Sequence, residues 1–269
     1  METGLKPKIT LATVGDNCID RYFHLGKSAV GGNAVNVAVH LVKLGWPCAY
    51  FGAVGDDPEG RRTRKVLAEN NVDLSHLQTI TGATSFTNLD IDGSGERIIT
   101  HENFGVCENY RPTADNFSDL STRAHIHIGW FNHSIELRDR LKRYGVSFSQ
   151  DIAVNQQGGG LDVAFESVGP SKVAAERKID ELLAAGNKLA VVTCGSLGSM
   201  ASDGINIFTT GVKPVEIVDT TGAGDTFIAG FLGAWLTGKS LLMSLEAGRD
   251  NAANTCRHLG GFDQAYEEL

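Results

Sequence analysis

Asp219-Thr-Thr-Gly-Ala-Gly-Asp225 runs directly into the apolar stretch Thr226-Phe-Ile-Ala-Gly-Phe-Leu232. A glycine-rich turn feeding a helix, with a carboxylate at its mouth, is suited to hold an anion and remove a proton in one place. Gly222 and Gly224 let the backbone turn tightly and bring its N–H groups against a ligand, and the first helical turn adds unpaired donors and a partial positive charge. Phosphate is the natural guest. Asp225 falls in that first turn, within reach of a bound phosphoryl group, where it can take the proton of an attacking hydroxyl. The competing account is structural: Gly-Ala-Gly lets a helix pack close to a sheet, and Asp225 is a carboxylate favoured by the helix dipole.

Other segments supply groups that such chemistry needs. Gly31-Gly32-Asn33 precedes a helical run and Asn36 follows one turn later, so two amides can face a polyhydroxyl ligand where glycines permit close approach; a plain capping turn is the alternative. Asp16 and Asp20 flank the end of the first strand, where ligands gather in open parallel sheets, and either hydrogen-bonds sugar hydroxyls or satisfies a loop. Val191-Val-Thr-Cys-Gly-Ser-Leu-Gly198 reads as a buried strand opening into a glycine turn, which lets Thr193, Gly195 and Gly198 border a nucleotide. Glu102, after a hairpin, and Asp151, ending a strand, are further candidates for substrate contact. His125-x-His127 puts two imidazoles on one strand face, but no third ligand stands in spacing for a metal, and core or surface histidines are the simpler account.

Gly233-Ala-Trp-Leu-Thr-Gly238-Lys239-Ser240 fits the formal P-loop pattern and is rejected. A P-loop follows a buried strand, whereas Phe227, Phe231 and Trp235 recur at i, i+4, i+8, the spacing of one helix face. Gly238 then ends that helix, Lys239 meets the negative end of its dipole, and Ser240 caps the next. Gly222-x-Gly224 is no dinucleotide fingerprint either, because Phe227 stands where the third glycine belongs.

The elements that must position these groups alternate. Strands are expected over residues 9–14, 47–54, 124–128, 146–149 and 188–193, and helices over 34–44, 58–70, 134–144, 171–185, 225–236 and 240–257. That order predicts an α/β fold with a mostly parallel sheet covered on both faces. Residues 21–30 read as short and irregular, residues 84–101 as a hairpin turning at Asp92-Gly93-Ser94-Gly95, and residues 199–208 as a second hairpin; the first two could pair into a small sheet outside the main one.

Bulk composition narrows the partners. The 269 residues, 42% hydrophobic and 21% charged, fit one large globular domain. A net charge of -8 with interspersed signs and no basic block argues against nucleic acid. Five scattered cysteines without Cys-x-x-Cys spacing suit free thiols in a reducing compartment, and neither a signal peptide nor a membrane span is legible, so a cytoplasmic protein is expected.

Four landmarks stand in one order: Gly15-x4-Asp20, Gly31-Gly32-Asn33, Gly55-Asp-Asp-Pro-Glu-Gly60 and Asp219-Thr-Thr-Gly-Ala-Gly-Asp225. Over nearly the whole chain they resemble the ribokinase (PfkB) family of carbohydrate kinases. The resemblance implies a ribokinase-like three-layer α/β/α fold, one domain over residues 1–269 with a small β lid inserted at about 21–30 and 84–104, and transfer of the ATP γ-phosphate to a sugar hydroxyl with Mg²⁺. By the same resemblance Asp225 is the general base, and Gly222, Ala223 and Gly224 form the anion hole. Asp20, Gly31, Gly32, Asn33 and Asn36 hold the sugar, while Thr193, Gly195 and Gly198 adjoin ATP. A monovalent cation, K⁺, belongs near Asp219 and Thr221.

Within the family, Gly15-Asp-Asn-Cys-Ile-Asp20 and Gly31-Gly-Asn-Ala-Val-Asn-Val-Ala-Val39 are most similar to the fructoselysine 6-kinases, which implies a primary hydroxyl of a fructosamine-like sugar as acceptor. Kinases of other sugars or nucleosides are the neighbouring alternative. The family's Asn-x-x-Glu motif is missing at Phe165-Glu-Ser-Val-Gly-Pro170, as in fructoselysine kinases, which leaves the Mg²⁺-organising residues unassigned and motivates a second alternative, a non-catalytic sugar or nucleotide sensor. Only ten residues separate Asp20 from Gly31, a reduced lid whose open mouth admits a substituent on the sugar, and the negative net charge tolerates a cationic amine there. The hairpin over 84–101, with an exposed edge and an apolar face, is expected to pair the lid into a homodimer.

Overall fold

The computed structural model describes residues 10–91, 97–156 and 158–269. The chain opens with β1 (Leu11–Val14), β2 (Cys18–Tyr22), β3 (Lys27–Gly31), α1 (Asn33–Lys43), β4 (Cys48–Phe51), β5 (Ala53–Gly55), α2 (Pro58–Glu69) and β6 (Gln78–Ile80). β7 (Phe86–Ile91), β8 (Arg97–Asn103), α3 (Ala114–Leu120), β9 (His125–Ile128), α4 (Ser134–Leu141), β10 (Ser147–Asp151) and β11 (Val163–Ser167) follow. The last third holds α5 (Lys172–Ala184), β12 (Ala190–Thr193), β13 (Ser199–Ser202), β14 (Ile207–Thr210), α6 (Ala223–Trp235), α7 (Leu241–Thr255) and β15 (Glu267–Glu268).

The main sheet runs β14-β13-β12-β11-β10-β9-β1-β4. Its strands from β12 to β4 are parallel, and β13 and β14 add an antiparallel edge. Parallel strands need both faces covered, and two apolar cores supply that cover. One joins the sheet to α1, α2, α6 and α7 through residues such as Val37, Leu67, Phe231 and Leu245; the other joins it to α3, α4 and α5 through Leu120, Leu137 and Ile179. The layers are therefore α/β/α. Phe231 of α6 meets Phe165 of β11 edge-on at 5.4 Å between ring centroids, and each such buried side chain contributes about 1.5–3 kcal/mol. That packing fixes the axis of α6 and hence the direction of its first turn.

A smaller sheet, β15-β3-β2-β7-β8, forms the lid. Residues 21–30, expected to be irregular, belong instead to the antiparallel β2–β3 hairpin, closed by Gly26. Paired neighbours share a face, so Asp20, Thr87 and Glu102 stand side by side across β2, β7 and β8. The turn expected at Asp92–Gly95 and the strand residue Ile9 lie outside the described residues; β7 and β8 on either side of that turn pair antiparallel, with an irregularity at Asn88/Leu89.

Three further departures have local causes. The strand expected over 47–54 is two: β4 stays in the main sheet, while β5 leaves to pair in parallel with β6. β11 is a short apolar run without alternation, the pattern of a strand buried on both faces, and it inserts between β10 and β12. β15, two residues long, joins β3 only through long-range pairing. Rejection of the P-loop holds, because α6 continues to Trp235, Gly238 follows in a left-handed conformation, and the Ser240 hydroxyl caps α7 by accepting from Met243 N at 3.3 Å. His125 and His127 are core residues: Ser149 Oγ lies 2.8 Å from His125 Nε2 and 2.9 Å from His127 Nδ1, and burial holds the two rings at about 4 and about 3, in the neutral form.

Candidate active site

The carboxyl ends of β1, β9, β10, β11 and β12 face one edge of the main sheet, and the chain order reverses between β1 and β9. Such a switch point is where open α/β sheets collect ligands. Asp16, just past β1, spans it. Its carboxylate accepts from Asn33 N at 2.8 Å and Ala34 N at 3.3 Å, capping α1 from a distance, and from Trp130 N, after β9, at 3.1 Å. Asp16 thus satisfies the loop after β1 and the start of α1.

The capped helix aims its amides at α6. Asn33 Nδ2 donates to Asp225 Oδ1 at 2.6 Å and Asn36 Nδ2 donates to Asp225 Oδ2 at 2.7 Å. Asn33 Nδ2 also donates to Asp151 Oδ2 at 2.8 Å, so the ends of β10, α1 and α6 converge on one carboxylate pair. Asp225 lies in the first turn of α6, partly exposed, whereas Asn33, Asn36 and Asp151 are buried. Burial, followed by the charges of Asp151 and Asp16, pushes the Asp225 carboxyl well above the ordinary range against the opposing pull of its two amide donors. Burial also raises Asp151 to about 7, with Glu166 and Asp16 adding to the shift.

The turn before α6 has the open donors an anion needs. Among the described residues, the N–H groups of Gly222, Gly224 and Asp225 meet no acceptor, whereas the Ala223 N–H bends back to Thr220 O at 3.2 Å. Of the set expected at 222–224, Gly222 and Gly224 are thus the open donors, and the Asp225 N–H stands beside them. A Cβ at Gly224 would meet nothing within 4 Å, so the space in front of the turn is clear.

Asp219 and Thr221 do not fit a monovalent cation. Asp219 Oδ1 accepts from Thr221 N at 3.0 Å and Thr221 Oγ1 at 2.8 Å, while Oδ2 accepts from Tyr22 Oη at 3.1 Å and Gly260 N at 2.9 Å. Four donors fill the lone-pair directions of one carboxylate. A magnesium arriving on a nucleotide needs only one or two carboxylates, the rest of its shell being phosphate and water. Asp151 and Glu166, near the ends of adjacent β10 and β11, are close enough for the Glu166 charge to add to the burial that raises Asp151, and a cation there would relieve that added repulsion. Among the described residues, no three His, Cys, Asp or Glu side chains gather as an all-protein metal cluster.

Asp20 is buried on the lid face, where the Cys18 thiol donates to its Oδ1 at 3.2 Å and any Cβ at Gly31 would overlap its carboxylate. Glu102 stands on the same face, solvent-exposed, its carboxyl raised by partial desolvation and the Asp16 charge. Phe104 stacks on Trp130 with centroids 3.8 Å apart, an aromatic pair that local spacing did not flag. Gly32 is the N-cap of α1. Thr193, Gly195 and Gly198 sit at the β12–β13 turn, where Cys194 N bonds Gly198 O at 2.8 Å, and no described bond joins them to the Asp225 cluster.

Comparison with known proteins agrees with this geometry. The family model described as "pfkB family carbohydrate kinase" matches residues 17–145 and 164–265. Fructoselysine 6-kinase of Shigella flexneri is 33% identical over 260 residues, covering 94% of this chain and 99% of that protein. Fructosamine kinase FrlD of Bacillus subtilis is 29% identical over 267 residues, covering 95% and 94%. Among solved structures, Arabidopsis thaliana ribokinase complexed with ribose and ATP superposes with a TM-score of 0.82 at 20% identity, covering 93% of each chain. Adenosine kinase from Sinorhizobium meliloti gives 0.79 at 21%, covering 96% of this chain and 97% of the other. These two likenesses establish the ribokinase-like fold.

Proposed function

Because the chain belongs to the pfkB family of carbohydrate kinases, we propose that it moves the γ-phosphate of ATP onto a primary hydroxyl of a fructosamine-type sugar. The observation that carries this reading is the clamped carboxylate at the mouth of α6: two amides hold Asp225 beside three unused backbone donors. In the proposed reaction the N–H groups of Gly222, Gly224 and Asp225 grip the travelling phosphoryl, whose charge spreads over its equatorial oxygens. Asp225 accepts the proton of the attacking alcohol, and Asn33 and Asn36 keep its oxygens in line. A raised carboxyl is a stronger base once ionised, which suits it to an alcohol. Mg²⁺, held through Asp151 and Glu166, would screen the phosphate charge, and ATP would border Thr193, Gly195 and Gly198. The whole chain acts as one domain, the lid closing over the mouth.

The fructosamine assignment draws on the names of the relatives and on the lid. Asp20 and Glu102 share one face of the small sheet, which is the face proposed to meet the sugar, and the Phe104–Trp130 stack just after β8 would add an aromatic wall. A sugar linked to an amine brings an ammonium that pairs with both. A charge-assisted hydrogen bond of about 1.5–3 kcal/mol corresponds to a preference of roughly ten- to a hundredfold in kcat/KM. A coupled ADP-release assay over fructoselysine, other fructosamines, fructose, ribose and adenosine is therefore expected to favour the sugar-amines by at least about tenfold. Preference for fructose or a nucleoside would move the substrate elsewhere in the family; binding of a sugar with no ADP release from any of them would favour the sensor.

A further inference from the structure

The geometry points to Tyr22 as a positioning residue: its hydroxyl ties lid strand β2 to the phosphate-gripping turn through Asp219, supplying the anchor a monovalent cation would otherwise provide, so turnover needs no K⁺. The inference rests on the kinase reading above and adds to it how the lid and the anion cradle are coupled. Tyr22 is fully buried in a small cluster with Ala29 and Leu89, packed by Leu259 and Tyr266. Burial and the charges of Asp20 and Asp219 push its phenol far above the working range, so it remains a donor at any pH of interest. Its acceptor, Asp219 Oδ2, also holds Gly260 N at 2.9 Å, while Oδ1 holds Thr221 N and Oγ1. Thr221 is followed by Gly222, the N-cap of α6.

Asp20 stands two residues before Tyr22 on the same strand and face, so one short strand carries both a sugar-facing carboxylate and the anchor of the turn. The connection is short: lid, Tyr22 hydroxyl, Asp219, Thr221 N–H, anion cradle. Saturation of Asp219 by four protein donors leaves no lone pair that K⁺ is required to satisfy.

Tyr22→Phe removes one oxygen and keeps the ring. Tyr266→Phe is the control: it removes a hydroxyl of the same cluster that donates to Leu259 O at 3.0 Å instead of to Asp219. Amide hydrogen exchange read at Thr221 is expected to speed by about tenfold in Tyr22→Phe and stay unchanged in Tyr266→Phe, as opening of one charged hydrogen bond requires. Turnover in Tyr22→Phe is expected to fall by about tenfold with the sugar KM within about twofold, because Asp219 anchors the phosphate side and not the sugar. Wild-type turnover in KCl should lie within about twofold of that in tetramethylammonium chloride of equal ionic strength. Unchanged exchange at Thr221 in Tyr22→Phe, equal losses in both variants, or activation by K⁺ beyond about fivefold would each overturn the inference. Absence of wild-type turnover would instead strike the kinase reading, while the exchange comparison still decides whether the clamp exists.

Discussion

Asp225→Asn is expected to lower kcat/KM for sugar phosphorylation by about 10²–10⁴-fold, the span of a lost general base. The replacement keeps the shape, and one of its amide atoms still accepts from Asn33 or Asn36; the other meets a donor head-on, a local cost of about 1–3 kcal/mol. Against that cost stands a gain with a definite sign. Burial raises the Asp225 carboxyl in the folded state, so the stability it lends is fully present below the unfolded value of about 4 and is lost as pH rises through the raised one. Asparagine removes that loss, and the variant is expected to melt close to wild type at pH 8. The same shift shapes activity: wild-type kcat/KM should fall on acidification with its limb above the ordinary carboxylate range of about 4, as a property shared with Asp16 and Asp151. In Asp225→Asn the residual rate should be less sensitive to acid, with Asp16 and Asp151 remaining to titrate. Retention of half the wild-type rate would remove Asp225 from the chemistry.

Gly222→Ala is expected to damage both stability and turnover, and for reasons separate from charge. Gly222 has φ +72°, and a Cβ there would lie 2.5 Å from Gly261 Cα and 3.1 Å from Asn36 Nδ2. Both obstacles matter, since one is backbone and the other is the amide that holds Asp225. Left-handed strain and the forced shift together are worth about 1–3 kcal/mol, and a displacement of about 1 Å at a reacting group costs about a hundredfold in rate. Gly224→Ala provides the contrast, because its Cβ meets nothing within 4 Å; its melting temperature should stay near wild type, a surface change being worth at most about 0.5 kcal/mol. Thermal denaturation beside single-substrate kinetics reads both variants. Wild-type melting and wild-type turnover in Gly222→Ala would show that the turn tolerates a side chain and is not a tight cradle.

The parts of this site legible in the sequence are those whose chemistry is local. Glycines at 222 and 224, the acid at 225 and the amides at 33 and 36 announce a turn, a base and two donors by spacing alone. Their meeting is long-range, since Asn36 and Asp225 are 189 residues apart, and no local periodicity encodes it. Asp219 shows the limit. Its four donors come from the lid, from its own turn and from Gly260 near the end of the chain, and no local pattern announces a carboxylate already saturated. Ala223 lies between the cradle glycines in sequence, but a single backbone bond to Thr220 turns its N–H away. Among the strands, β11 was invisible because a run buried on both faces has no alternation, and β15 because two residues carry no period. Spacing suits Asp16 equally to sugar and loop, and the α1 N-terminus that rests on it is a tertiary contact that spacing does not encode.

The central claim, that backbone donors at the mouth of α6 hold the travelling phosphoryl beside Asp225, is tested most directly by a crystal structure with a non-hydrolysable ATP analogue and a fructosamine. The terminal phosphate is expected about 3 Å from the Gly222, Gly224 and Asp225 N–H groups, with the sugar's primary hydroxyl on the Asp225 carboxylate. A triphosphate ending elsewhere, with Asp225 bound only by Asn33 and Asn36, would contradict the account.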